Sequence, residues 1–227
     1  MKLVTWNINS VRIRTDQVAR FVAEQAPDVL CLQEIKCREG EFPREAFEAM
    51  GLPHLVISGQ KGWHGVAIAS RLPIEPAAPL EVCREGHARC AAGIIGGIEV
   101  QNFYIPAGGD LPDRTLNPKF DHKLDFFERL TRLAAARDPK SPLVMVGDLN
   151  VAPGEHDVWN HRYMSKVVSH TPVEVEAMAA LKAAGGFTDL VREAAFRLGC
   201  AAARVHDDVR EWERPSDHAP VTADLVL

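Results

Sequence analysis

The spacing of apolar and polar positions changes several times along the chain, and each change marks an element. Lys2 to Ile8 alternates between two faces and reads as a strand. Thr15 to Ala26 sets Val18, Phe21 and Val22 at helical spacing, and Pro27 stops the helix. Val29-Leu30-Cys31-Leu32 is a short unbroken apolar run, the pattern of a strand buried on both faces. Strand, helix, strand in that order predicts a parallel pair joined by a crossover. Gly65 to Ser70 reads as a further strand, and Ala92 to Ile105 as a hairpin turning at Gly96-Gly97. Asp121 to Arg137 is an amphipathic helix with Leu124, Phe127, Leu130 and Leu133 on one side. After the breaks at Asp138-Pro139 and Ser141-Pro142, Leu143 to Val146 reads as a buried strand. Glu174 to Ala184 is a second clear helix, ended by Gly185-Gly186, and Pro220 to Leu227 closes the chain as a strand. Crossovers mixed with hairpins predict an α/β fold of mixed sheets covered by helices.

Composition narrows the class. The chain has 227 residues, 46% apolar and 25% charged, which excludes disordered, collagenous and fibrous chains. With no internal repeat, low-complexity tract or obvious linker, residues 1–227 are expected to form one domain. Net charge is −5, from 26 basic and 31 acidic residues. A sequence-independent DNA coat protein should be basic, but a local basic rim around an acidic metal site can serve an enzyme. No apolar run approaches the roughly 18 residues of a membrane span, and MKLVTWNINS turns polar too soon for a secretory signal. The expected location is the cytoplasm. The five cysteines match no CxxC zinc spacing and read as reduced thiols.

The polar residues that stand out lie where predicted strands stop. Asn7 and Asn9 follow the first strand, and Gln33-Glu34 follows the apolar run ending at Leu32. Gly147-Asp148-Leu149-Asn150 follows Val146, and Asp217-His218 precedes the last strand. Alone, each has an ordinary reading as a helix cap, a tight turn or a surface charge. Together they make chemical sense. Magnesium takes hard oxygen ligands, one or two of them carboxylates, and leaves positions for water and phosphate. Phosphodiester hydrolysis also needs a group to activate water and charge to stabilise the transition state. Asp148, Asn150 and His218 are suitable types. His156 and His161 lack the glutamate of a zinc protease motif and read as surface residues or as local hydrogen-bonding groups.

The ordered motifs extend this reading. They are Thr5-Trp6-Asn7-Ile8-Asn9-Ser10-Val11-Arg12, Leu32-Gln33-Glu34-Ile35-Lys36-Cys37 and Gly65-Val66-Ala67-Ile68. Then come Tyr104-Ile105-Pro106-Ala107-Gly108-Gly109, Asn117-Pro118-Lys119-Phe120 and Gly147-Asp148-Leu149-Asn150-Val151-Ala152-Pro153. Ser169-His170-Thr171-Pro172 and Pro215-Ser216-Asp217-His218-Ala219-Pro220 complete the set. In these segments the chain resembles the exonuclease III class of abasic-site endonucleases, within the endonuclease/exonuclease/phosphatase superfamily. The resemblance implies a four-layer sandwich of two mixed β-sheets flanked by helices, with the site at one end. It implies a magnesium-dependent nuclease, with manganese as a possible substitute, that cuts duplex DNA 5′ to abasic sites and trims 3′ ends. A monomer is expected. Carried over by position, Glu34 is the metal ligand with Asn7 beside it, and Tyr104 contacts the scissile phosphate. Asp148 activates or orients the attacking water, and Asn150 helps hold it. His218 stabilises the transition state, and Asp217 supports the site or a second metal. Asp148, Asn150 and His218 also count among the residues around the metal. Asn9, Lys36, Lys61, Arg89, Arg114 and Lys119 are the candidates for gripping DNA.

The chain departs from its family between Phe187-Thr188-Asp189-Leu190-Val191-Arg192 and Val209-Arg210-Glu211-Trp212. An aromatic strand, a basic loop and a strand carrying an aspartate that orients the catalytic histidine are missing near 194–208. The expectation is therefore one sheet short of strands, with an exposed edge or a hole, and a His218 without its partner. Two alternatives follow: a pseudoenzyme that keeps metal or DNA binding, and a phosphodiesterase acting on a small substrate.

Overall fold

The computed structural model describes residues 1–78, 80–193 and 200–225. The strands are β1 (Lys2–Asn7), β2 (Val29–Gln33), β3 (His54–Ser58), β4 (Val66–Ser70), β5 (Glu75–Pro76), β6 (Cys90–Ile95), β7 (Ile98–Tyr104), β8 (Leu143–Asp148), β9 (Cys200–Val205) and β10 (Val221–Leu225). The helices are α1 (Thr15–Gln25), α2 (Arg44–Ala49), α3 (Pro118–Ala136), α4 (His161–Met164), α5 (Pro172–Gly185) and α6 (Leu190–Glu193).

The strands form two mixed sheets. One is six-stranded in the order β3-β4-β2-β1-β10-β9, and the other is four-stranded in the order β5-β6-β7-β8. The expected crossover is present: β1 and β2 are parallel, from Leu3↔Val29 to Asn7↔Gln33, with α1 between them in the chain. β7 and β8 are a second parallel pair, in register from Glu99↔Leu143 to Tyr104↔Asp148. β10 runs antiparallel to β1.

Three apolar layers account for the burial. Leu3, Val29, Cys31, Val66 and Ile68 point toward Ile95, Val100, Val144 and Val146 and fill the space between the sheets. Val4, Trp6, Leu30 and Leu32 point the other way, onto Val18, Phe21 and Val22 of α1 and Phe47 of α2. This two-sided burial is why β2 has no polar alternation. On the far side, Phe103 packs on Phe126, Phe127 and Leu130 of α3 and Leu181 of α5. Each large side chain so enclosed contributes about 1.5–3 kcal/mol of transfer free energy. The result is helices, sheet, sheet, helices.

Several boundaries differ from the sequence reading. α3 begins at Pro118 rather than Asp121, because Asn117 caps it by accepting from Lys119 N, and proline suits the first turn. Leu133 is 37% exposed and lies off the buried stripe of Leu124, Phe127 and Leu130. β8 runs on through Gly147 and Asp148, so Asp148 ends the strand instead of following it. Its residues are only half-buried, because among the described residues β8 pairs with β7 alone and forms the edge of its sheet. Of the exposed edge or hole expected in one sheet, no hole opens beside the last strand among the described residues, because β9 pairs with β10 from Val221↔Val205 to Leu225↔Cys200. Residues 194–199 of the shortened region, and the end of the strand read to Leu227, lie outside the described residues. Among them, no helix is long and apolar enough to cross a membrane.

Candidate active site

Topology gathers the polar strand ends. β1 and β2 finish at one end of one sheet, β7 and β8 finish at the same end of the other, and antiparallel β10 starts there. Asn7, Glu34, Tyr104, Asp148 and His218 therefore meet. Asn7 Nδ2 donates to Glu34 Oε1 and to Asp148 Oδ2, both at 2.8 Å, and so bridges the two sheets. Tyr104 OH donates to Glu34 Oε1 at 2.9 Å, and Lys36 Nζ lies 2.9 Å from Glu34 Oε2. Lys36 also donates to Asn9 Oδ1 at 2.6 Å, while Asn9 Nδ2 donates to Asp217 Oδ1 at 3.0 Å.

The backbone is strained where these side chains are presented. Asn9, Glu34, Lys36 and Asn150 have φ of 47°, 52°, 52° and 53°. Non-glycine residues in that region cost roughly 1–3 kcal/mol each and persist where the surroundings over-determine them. The Asn9 loop is held by Arg14, whose guanidinium donates to the carbonyls of Ile8, Asn9 and Pro215. Ser216 Oγ donates to Asn7 O at 2.6 Å, and Trp6 Nε1 donates to His218 O at 3.0 Å. At Gly147, with φ of 140°, a Cβ would stand 1.9 Å from Phe103 O, so only glycine allows β8 to lie this close to β7 ahead of Asp148.

Burial tends to push the Glu34 carboxyl up, but the hydrogen bonds from Asn7, Lys36 and Tyr104 outweigh it, and the group is held below the usual carboxylate range. Glu34 is therefore ionised at neutral pH. Burial, then the Glu34 charge, pushes the Tyr104 phenol up, so it stays a proton donor. Asp217 resists its own desolvation through Asn9 and His218 and is held low.

Glu34, Asp148 and His218 place one ligand atom each within 4.8 Å of one another. Two carboxyl oxygen donors with an imidazole and the Asn7 amide fit a divalent cation of hard preference. His218 Nε2 lies 3.9 Å from Asp148 Oδ2 and 3.9 Å from Asp217 Oδ2. Among the described residues no carboxylate reaches its Nδ1. Asn150 lies beside Asp148. Its backbone N–H donates to Asp148 Oδ1 at 3.1 Å, and its side-chain amide donates to Ile105 O at 2.9 Å.

The candidate DNA contacts separate into groups. Lys36 and Asn9 are in the site. Arg89 is beside it: Nη1 donates to Tyr104 O at 3.0 Å, and the guanidinium lies 4.9 Å from the Tyr104 ring centroid. Arg114 is spent in ion pairs with Asp121 and Glu128, at 2.7 and 2.6 Å, and nothing brings it to the site. Lys61 and Lys119 are exposed and make no contact with the carboxylates. His161 Nδ1 pairs with His170 Nε2 at 2.9 Å, so it has a local structural partner.

Two supporting groups escaped the sequence reading. Lys123, fully buried on α3, reaches Ala107 O at 3.2 Å and Asn150 O at 2.7 Å and pairs with the fully buried Glu174. Glu174 also accepts from Ser169 N, Thr171 N and Thr171 Oγ1. Asn102, between the sheets, accepts from Gln33 Nε2 and donates to Leu32 O and Ala67 O. The signal available for Glu174 was the Thr171-Pro172-Val173-Glu174 capping box. Asn102 gave none beyond a polar residue inside a hairpin strand.

Comparisons with known proteins agree with this geometry. The chain is 27% identical over 276 aligned positions to the exodeoxyribonuclease III of Haemophilus influenzae, covering 99% of this chain and all of that one. It is 30% identical to the DNA repair nuclease APEX1 of Danio rerio, over 85% of this chain and 62% of the relative. An AP endonuclease from Archaeoglobus fulgidus superposes with a TM-score of 0.91 at 29% identity, and a 3′-5′ exonuclease from Neisseria meningitidis with 0.90 at 31%, each over the full length of both chains. A Neisseria 3′ phosphatase bound to product DNA hairpin superposes with 0.89 at 30% identity, again over both full chains. A model of the Endonuclease/Exonuclease/phosphatase family matches residues 4–218. The chain belongs to that family.

Proposed function

We propose that this protein is a magnesium-dependent DNA repair nuclease of the exodeoxyribonuclease III type, hydrolysing phosphodiesters 5′ to abasic sites and at 3′ ends. The observation that carries the reading is the convergence of Asn7, Glu34, Tyr104, Asp148 and His218 at one end of the sandwich. The similar solved structures add DNA as the substrate class, since one of them is bound to a product hairpin.

The residues divide the work. Glu34, with Asn7 at its side, would hold the cation, which supplies Lewis-acid stabilisation of charge on the phosphate. Tyr104 keeps its proton and is placed to donate to a phosphate oxygen. Asp148 has one carboxylate oxygen held by Asn150 N and the other between Asn7 and His218. It is thereby oriented to accept a proton from, or align, an attacking water. His218 Nε2 faces the same space and can donate to an oxygen of the pentacoordinate phosphorus. Lys36 and Arg89 flank the metal side as phosphate contacts. The chain folds as one domain and acts as a monomer in the cytoplasm.

The test is cleavage of a duplex carrying one abasic site and of an intact duplex with a recessed 3′ end. Each is run with magnesium and with chelator, beside Asp148→Asn. Incision 5′ to the lesion that needs both magnesium and Asp148 supports the reading. Metal-dependent 3′ trimming without abasic incision narrows it to the 3′-end enzymes. No cleavage by a folded sample overturns it in favour of the pseudoenzyme, and equal turnover of a small phosphodiester overturns the DNA assignment.

A further inference from the structure

A second cluster of ligand-type side chains stands beside the candidate site and is not used by it. Glu85 and His87 lie on the segment between β5 and β6, and His122 lies on the second turn of α3. Their ligand atoms are all within 4.8 Å of one another. Glu85 Oε2 is 3.3 Å from His87 Nδ1 and 3.3 Å from His122 Nδ1.

Those distances are informative. A charged hydrogen bond between imidazole and carboxylate would close to about 2.7–2.9 Å. Ligand atoms about 2.0–2.1 Å from a tetrahedral zinc are about 3.3–3.4 Å apart. His87 Nδ1 is shut away from solvent with no hydrogen-bond partner, an orphaned lone pair or N–H that ordinarily costs stability. His122 is 5% exposed at its side chain. Its other nitrogen, Nε2, lies 3.4 Å from Cys83 Sγ. With the Nε2 proton directed at that sulfur, Nδ1 presents its lone pair toward Glu85 and His87.

We propose that Glu85, His87 and His122 form a binding site for a zinc-class transition metal, with Cys83 orienting His122 and the fourth position open to water. Two imidazoles and one carboxylate are borderline donors, unlike the oxygen-dominated set around Glu34, so the sites select different ions. The metal ties the 83–89 segment to α3. The same segment is held nearby by Arg84 to Asp121 at 2.7 Å, and it ends at buried Arg89, which contacts Tyr104. The site thus fixes the approach of Arg89 to the Tyr104 end of the catalytic cluster without touching substrate.

The test is zinc retention by the whole chain. Chelator-stripped protein is loaded with zinc in excess magnesium and desalted, and bound zinc is titrated with a chromogenic chelator. Cobalt loading reads the geometry through its visible absorption. Wild type and Glu34→Gln should each keep one zinc and gain thermal stability from it. His87→Gln and Glu85→Gln should lose at least a hundredfold in affinity, and Cys83→Ser about tenfold. Both ligand positions are partly exposed, so these variants should fold, which circular dichroism checks. Zinc retained equally by His87→Gln and Glu85→Gln, lost in Glu34→Gln instead, or not bound by wild type, overturns the proposal.

Discussion

Replacing Lys123 by methionine tests the claim that a buried ion pair supports the loop that carries Asn150. Lys123 and Glu174 are both fully buried. The substitution keeps most of the side-chain volume, so packing changes little. It leaves the Glu174 carboxylate with only its bonds from Ser169 and Thr171, and it strips a donor from Asn150 O and Ala107 O. Breaking a buried pair by removing one partner costs about 3–5 kcal/mol. For a chain of this size each kcal/mol lowers Tm by about 2–4 °C, so the variant should melt about 6–20 °C lower. Urea unfolding measures the free energy, and cleavage kinetics below the new Tm measure the loop. Because Asn150 N holds Asp148, the turnover rate should fall more than substrate binding. The double variant with Glu174→Gln has no buried charge left and should lose less than the sum of the single losses. A cost under about 1 kcal/mol, or strict additivity, would refute the argument.

Three further outcomes follow from the structure. Glu34→Gln should abolish chelator-sensitive cleavage while circular dichroism stays unchanged; undiminished cleavage would remove Glu34 from the metal site. Gly147→Ala should destabilise by about 2–4 kcal/mol, from the clash with Phe103 O and an unfavourable φ together, measured by urea unfolding; near-neutral behaviour would show that β7 and β8 separate easily. His206 is buried against Phe21 with Nε2 2.7 Å from Thr222 Oγ1, and desolvation holds its pKa below the ordinary 6.5. Its neutral form is favoured by folding, so its contribution is complete above pH 6.5 and fades as pH falls through the lower folded value. His206→Gln should therefore flatten the acid limb of the stability profile, and identical slopes for both proteins would contradict this.

Much of the site was legible because strand ends write themselves in sequence. The unbroken Val29–Leu32 run fixed β2, and the crossover to β1 followed, so Asn7 and Glu34 fell at adjacent ends. The Gly96-Gly97 turn set the hairpin that ends at Tyr104. What escaped depends on partners distant in the chain. Cys200–Val205 is alanine-rich and has no strand signature of its own; it is a strand because β10 offers it a ladder. Lys123 reads as a solvated charge until Glu174, 51 residues away, is placed against it. Leu143–Val146 is apolar enough for an interior strand, but among the described residues β8 stands at the edge of its sheet and is half-buried.

The pairing of β1 with β10 has a consequence for synthesis. β1 is an inner strand of the six-stranded sheet, and one of its two neighbours is β10, with Lys2 opposite Asp224 far along the chain. Until the segment leading into β10 has been made, Trp6 has no His218 carbonyl to meet, and Ser216 cannot close on Asn7. Contacts that span more than 200 residues form late. A nascent chain can therefore display Glu34 and Asp148 without assembling the site, and cleavage competence arrives as a single late event, not by degrees.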